Sequence, residues 1–530
     1  MTEEYMKITI DSGQKGEKYT RYWNVCVGAG RANEGLRTSW QCQLKKAVQE
    51  CGFSYVRFHG MLMDDMFVFR ILNGKEVYNW QYLDDLIDAL LDIGIRPFVE
   101  FSFTPADMAS GDSLMFWWKG HASPPKDFGK WGELIEKTVT HWVNRYGIEE
   151  VRKWYFECWN EANLYGLFWT GTKTQYFELY KITAEAVKGI DKTLRIGGPA
   201  TSNFVPDERF DDEIEDTTKH AQYDNDTINN FKWKGVWIED FLNYCALNNV
   251  PVDFVSTHPY PTDFAIDGAK VKKGRTRYLE SLYDDLSWLR DVIKKSEFPN
   301  AEIHLTEWNS SPVSRDYSHD YLPAATYIVK VLLDCVGFVD SIAYWAFSDI
   351  FEEEGGGPEA FHGGFGLINM QGVSKPTYNA YRLLNTLGDM FIGKGSGYFA
   401  TKDSEDKFAL VLYNYPEEIK TAPQMSIYPD NNVAENTQKT GKMQKIELHI
   451  NGLRKNTVLI VETLDSNNGC VTTLWKEMGY PKMLSKDQAK LLKRYAEQTK
   501  LSSLNADSNG NINVVLELEP WAVVSIREIM

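Results

Sequence analysis

The amino-acid sequence predicts an α/β fold: a (β/α)8 TIM barrel with an accessory antiparallel β-sandwich domain. Three observations predict it. Eight short apolar runs between Asn24 and about Ile350 alternate with longer segments of helical period. Polar residues gather where those runs end, as the rim of such a barrel requires. Beyond Leu384 the pattern changes to strict alternation between turns, the mark of strands with one buried face.

The strand candidates are, in order, "NVCVGAG", "SYVRFHG", "RPFVEFS", "WYFECWNE", "RIGGPA", "DFVSTHPY", "EIHLTEWN" and "SIAYWAFSD". Between them lie helices such as "SWQCQLKKAVQECG", where Leu44 and Val48 share a face and Gly52 supplies the stop, and "LDDLIDALLDIG", stopped at Gly94. The barrel is placed at residues 15–384. His59, Glu100, Asn160, Glu161, His258, Tyr260, Glu307 and Asp349 fall at or just past its strand ends.

The sandwich is placed at residues 385–530, from "KFALVLYNY", "KIELHINGL", "TVLIVETLDSNNG" and "NINVVLELEPWAVVSI", with Ile512, Val514, Leu516 and Leu518 on one face. One helix interrupts it, "SKDQAKLLKRYAEQ", with Ser485 as N-cap and Gln488 placed for a capping box. The N-terminal strand within residues 1–14 could join either domain. An acidic, Asn-rich stretch at 206–235 falls outside the pattern. It is expected to be an insertion on the barrel face that carries the strand ends, read as a solvated decoration ahead of a specificity loop.

The 530 residues are 43% hydrophobic and 25% charged, enough for large cores. With 74 acidic against 57 basic residues, the net charge of −17 argues against nucleic acid or an acidic membrane as a partner. "MTEEYMKITIDSGQ" carries neither a basic nor an apolar leader region, and seven cysteines without a CxxC pair suit reduced thiols. A cytoplasmic location is expected.

The stretch "WYFECWNEANLYGLFW" sets Asn160 and Glu161 among rings, and "IHLTEWNSS" repeats the setting with Glu307 beside a Trp. Glutamates ending strands four and seven face each other across one barrel mouth. Paired carboxyl groups are what glycosidic bond cleavage needs, one donating a proton to the leaving oxygen and one meeting the charge that develops at the anomeric carbon. Aromatic walls should keep Glu161 protonated as an acid, while hydrogen bonds from Tyr260 and nearby donors should hold Glu307 ionised. Asn160 is placed to bond the sugar 2-OH.

Other chemistries find less support. His59 and His258 lack HExxH or cysteine spacing, so no metal is expected. "GAGRANEG" departs from G-x-G-x-x-G and no G-x-S-x-G elbow is present, so neither a dinucleotide nor any other cofactor is expected.

These segments, with "RFHGMLMDD", "PFVEFSFTPADMASG", "FECWNEANL", "YWAFSDIFEE" and "FHGGFGL", resemble family 39 of the retaining glycoside hydrolases, β-xylosidases among them, over nearly the whole chain. The resemblance implies Glu161 as acid/base and Glu307 as nucleophile. It implies a terminal-sugar subsite lined by His59, Phe116, Asn160, His258, Tyr260, Trp345, Glu352 and Glu353. It also implies removal of terminal β-D-xylosyl residues from xylo-oligosaccharides, and a homo-oligomer, a tetramer in many members.

The chain departs from the family pattern at Ala162, where proline is usual, at Trp308, at Pro312 and in the acidic insertion. These departures leave open an α-L-arabinopyranoside, β-galactoside or β-glucoside as substrate. An α-L-iduronide is disfavoured, since Glu352 and Glu353 would oppose a uronate despite Arg31 and Lys119 nearby. A carbohydrate-binding protein without activity is the reading from another class, and the presence of both glutamates and Asn160 argues against it.

Overall fold

The computed structural model describes residues 5–221, 227, 230–266, 272–423 and 430–529. Eight parallel strands close into a barrel in chain order: Cys26–Arg31, Tyr55–His59, Arg96–Phe101, Tyr155–Cys158, Arg195–Ser202, Phe254–His258, Glu302–Trp308 and Ser341–Tyr344. The ring closes where Tyr344 pairs with Val27. All eight coincide with the apolar runs expected from the sequence.

A helix follows each strand: Thr38–Cys51, Gln81–Ile93, Phe128–Tyr146, Lys173–Ile190, Ile238–Leu247, Ser281–Lys295, Leu322–Asp334 and Pro376–Leu384. The second shows how periodicity becomes packing, because Leu83, Leu86, Ile87 and Leu90 form its buried face. It stops at Gly94 with φ 94°, a left-handed cap that a side chain would strain. Thr172 and Gln175 close a capping box at the start of the fourth. At the barrel floor Phe98, Tyr155 and Phe254 fill the interior, with the Phe98 and Tyr155 rings stacked at 4.8 Å.

The C-terminal strands form two sheets with an apolar core that includes Ile8, Leu410, Leu412, Ile446 and Ile526. The larger is antiparallel throughout and recruits Glu17–Lys18 to its edge. In the smaller, Met6–Asp11 runs parallel to Gln444–Asn451, which in turn pairs antiparallel with Ile512–Leu518. The N-terminal strand thus joins the sandwich and adds one parallel pair to an otherwise antiparallel fold.

Ser485 and Gln488 make the expected capping box. Two further helices, Asn431–Gln438 and Val471–Glu477, were not expected; both are about two turns long, too short to show a stripe. Arg382 on the eighth barrel helix pairs with Glu462 of the sandwich at 2.7 Å, and Asn379 donates to the carbonyls of Gly469 and Ala496. Among the described residues no helix is long and apolar enough to cross a membrane. All seven cysteines are free, Cys42 alone being exposed.

The insertion corrects its sequence reading. Residues 222–226 and 228–229 lie outside the described residues, but those before them are tied down. Glu213 accepts from the backbone and hydroxyl of Thr174 at the start of the fourth helix, and Trp237 donates its indole N–H to the Phe210 carbonyl. Arg209, 2% exposed, bridges Asp207 and Asp263. Its buried anchors and its lining of the cavity make the described stretch 206–221 a wall rather than a solvated decoration.

Candidate active site

Glu161 follows the fourth strand on a turn in which Trp159 (φ 69°) and Glu161 (φ 43°) both adopt the left-handed region. Such residues persist where their surroundings over-determine them. Here the Glu161 amide donates to the Ala200 carbonyl at 2.9 Å, and the Asn163 side chain exchanges hydrogen bonds with the Ser202 backbone. Glu307 stands within the seventh strand, in a register shift between Leu305 and Trp308 that re-aims side chains at the rim. One carboxyl oxygen of each glutamate lies within 4.8 Å of the other.

A residue that sequence reasoning passed over organises the pair. Arg57, fully buried in the second strand, donates to Glu157 at 2.6 Å, Glu307 at 2.8 Å and the Asn160 amide oxygen at 2.9 Å, and pairs with Glu100 at 2.8 Å. Tyr260 donates to the other Glu307 oxygen at 3.1 Å. The nucleophile candidate is therefore gripped on both oxygens.

On the acid side the hydrogen bonds settle a tautomer. Thr306 donates its hydroxyl proton to Glu157 at 2.8 Å, so toward His258 Nε2, 3.0 Å away, it can only accept. His258 therefore carries its proton on Nε2, and Nδ1 offers a lone pair to Glu161 Oε1 at 2.8 Å. Burial pushes the His258 pKa down to about 4, keeping the ring neutral. This bond is complete when Glu161 carries the proton.

Burial lifts the Glu161 pKa to about 7, against the opposing pull of Ser202, His59 and Arg57. The Glu307 pKa is raised as well, again by burial, with the Arg57 guanidinium opposing. The hydrogen bonds from Arg57 and Tyr260 work against that burial and favour the ionised carboxylate. Burial also opposes charge on His59, but Glu100 at 2.7 Å outweighs it and raises the pKa to about 9. Glu353 is pushed up to about 8 by burial.

The pair opens onto a cavity of ≈ 460 Å³. His59, Phe116, Tyr260, Trp345 and Glu353 line it with Glu161 and Glu307, and the His59 and Trp345 rings lie 4.8 Å apart. Asn160 and His258 are buried behind that wall, where they support Arg57 and Glu161. Glu352 is held in ion pairs with Arg31 at 3.2 Å and Arg37 at 2.5 Å and is not among the residues lining the cavity. Asp349 serves elsewhere, in a buried pair with Lys375 at 2.8 Å.

Arg57, Glu157 and Thr306 were missed because a charged or hydroxyl residue inside an apolar strand leaves no local pattern. The signal available was Arg57 in "YVRFH", a charge on a strand buried on both faces. Glu161, His258 and Glu307 also form the group of described residues that could hold a cation. Here the same closeness serves proton sharing, with His258 Nδ1 already directed at Glu161.

A parallel eight-stranded barrel with two partly compensated carboxyl groups facing one cavity is the arrangement that glycoside hydrolysis uses. Comparison with known proteins carries the assignment further. Residues 6–513 match the model for glycosyl hydrolases family 39, and the chain belongs to that family. It is 36% identical to a β-xylosidase of Caldicellulosiruptor saccharolyticus, over 98% of each chain. It is 33% identical to a β-xylosidase of Geobacillus stearothermophilus, over 99% of this chain and 96% of that one. The crystal structure of the family 39 enzyme from Xanthomonas axonopodis pv. citri superposes with a TM-score of 0.85 at 31% identity, covering 100% of this chain and 98% of that one.

Proposed function

We propose that this chain is a retaining exo-β-xylosidase that releases terminal β-D-xylosyl residues from xylo-oligosaccharides, with Glu307 as nucleophile and Glu161 as acid/base. The observation that carries the retaining mechanism is the approach of the two carboxyl groups to within 4.8 Å. That is too close for a water to be activated between them, and close enough for direct attack on the anomeric carbon. The full-length similarity to two β-xylosidases supports the sugar.

In the first step a Glu307 oxygen bonds to the anomeric carbon as the bond to the leaving oxygen breaks, and the Glu161 proton passes to that oxygen. Its pKa of about 7 keeps a protonated fraction available at neutral pH. The ester formed at Glu307 removes a negative charge beside Glu161, so its pKa falls and the carboxylate can take a proton from water. That water attacks the anomeric carbon, and Glu307 leaves as carboxylate. Neutral His258 tracks the cycle, accepting from Glu161 while the proton is there.

The test is hydrolysis of nitrophenyl β-xyloside, α-L-arabinopyranoside, β-galactoside, β-glucoside and α-L-iduronide by the purified protein and by Glu307→Ala. Xyloside is expected to be preferred, with turnover falling about 10⁴-fold or more in the variant. Preference for another sugar overturns the substrate. Retained turnover in the variant overturns the nucleophile.

A further inference from the structure

We infer that the insertion builds the site for the leaving group, and that it recognises a second sugar ring through its hydroxyls. The inference rests on Glu161 being the acid, because the leaving oxygen must lie on the side from which the proton comes. The cavity wall divides accordingly. His59 ends strand two, and Pro312, Trp345, Glu353 and Phe365 come from the loops after strands seven and eight. Tyr165, Leu167, Phe210, Glu215, Thr217 and His220 come from the loops after strands four and five, beside Glu161.

The chemistry of this second set suits a carbohydrate. Phe210 and Tyr165 supply ring faces, against which the C–H face of a pyranose packs. Glu215 offers a carboxylate, which can accept from two neighbouring hydroxyls, and Thr217 can donate or accept. His220, 7% exposed, holds Glu215 Oε1 at 3.0 Å through Nε2. Its Nε2 bond fixes where the Glu215 carboxylate points. Arg209 is engaged by Asp207 and Asp263 and serves as an anchor.

The wall is rigid enough to be selective. Glu213 fastens it to the fourth helix, and the Asp216 amide donates to the Arg209 carbonyl at 2.8 Å. At ≈ 460 Å³ the cavity falls within the range of about 300–1,000 Å³ typical of sites for drug-sized ligands, larger than one sugar ring.

The test uses the covalent intermediate as a starting point. The protein is trapped with the 2-deoxy-2-fluoro glycosyl fluoride of the sugar preferred in the panel above, and adduct formation is followed by mass. Reactivation is then measured with that free sugar as acceptor and, separately, with azide. The wild type is expected to show saturable reactivation by the sugar. In Glu215→Ala and His220→Ala the ratio of sugar to azide reactivation should fall at least tenfold, and Glu215→Gln should recover part of it. Because the ratio is taken within each variant, a general loss of folded protein cancels. An unchanged ratio, or a sugar effect that does not saturate in the wild type, overturns the leaving-group site. Failure to form any adduct overturns the covalent mechanism itself.

Discussion

Two of the charge clusters that the barrel buries, around Lys375 and around Arg57, differ in what they can do. Around Lys375 the ammonium sits between Asp320 at 2.6 Å and Asp349 at 2.8 Å and donates to the Gly364 carbonyl, while the two aspartates accept from the Gly363 and Gly366 amides. Its hydrogen bonds end on backbone, and it pins the loop that brings Phe365 to the cavity. Around Arg57 they end on side chains: Glu100, Glu157, Glu307 and Asn160, then through Thr306 and His258 to Glu161.

Buried charge alone therefore does not mark a catalytic site. Glu161 and Glu307 differ from Asp320 and Asp349 in facing a cavity, where substrate can reach them.

The largest effect expected from this contrast is kinetic and confined to the Arg57 side. Glu161→Ala should lower kcat/KM by about 10²–10⁴-fold for glycosides with poor leaving groups and far less for activated ones. Added azide should partly restore turnover on the activated substrates. Equal losses across a series of leaving groups would remove Glu161 from the role of acid.

The next effect belongs to the Lys375 side and is thermodynamic. Lys375→Met leaves two aspartates buried without their cation and should cost about 3–5 kcal/mol of stability, read from urea denaturation. A variant as stable as the wild type would show that the cluster does not hold its loop.

The smallest effect is a slope. The carboxyls of Glu161 and Glu353 titrate at about 7 and 8 in the folded protein, against 4.5 for an ordinary glutamate. The folded state thus holds protons that the unfolded chain has released. The stability from this source is complete below about pH 4.5 and is lost as pH rises through 7 and 8. Glu353→Gln, neutral at every pH, should flatten the decline between about pH 4.5 and 8. Identical slopes in wild type and variant would place the Glu353 titration elsewhere.

Much of this was legible in the chain itself, for reasons that vary by residue. Gly52 and Gly94 mark helix ends because the left-handed cap they occupy is a local steric requirement. Glu161 stood out because it interrupts a run of rings at a strand end, and Glu307 because it ends a second strand beside Trp308. Glu353 could not be told from Glu352 in "FEEEGGG"; the choice fell to Arg31 and Arg37, which claim one and leave the other at the cavity. The insertion reads as solvated because its charge is visible and its anchors, Thr174 and Asp263, are distant in the chain.

By itself the sequence determined the alternation of eight strands and helices, the change to a sandwich and the pair of glutamates at the barrel mouth. Each is written in periodicities and caps that span a few residues. Only the tertiary structure decided that Arg57 grips Glu307 across 250 positions, that Thr306 directs the proton on His258, and that an acidic loop forms a wall of the site. Hydrogen bonds and desolvation depend on distances of a few ångströms, and chain closure sets those distances between residues that no local pattern connects.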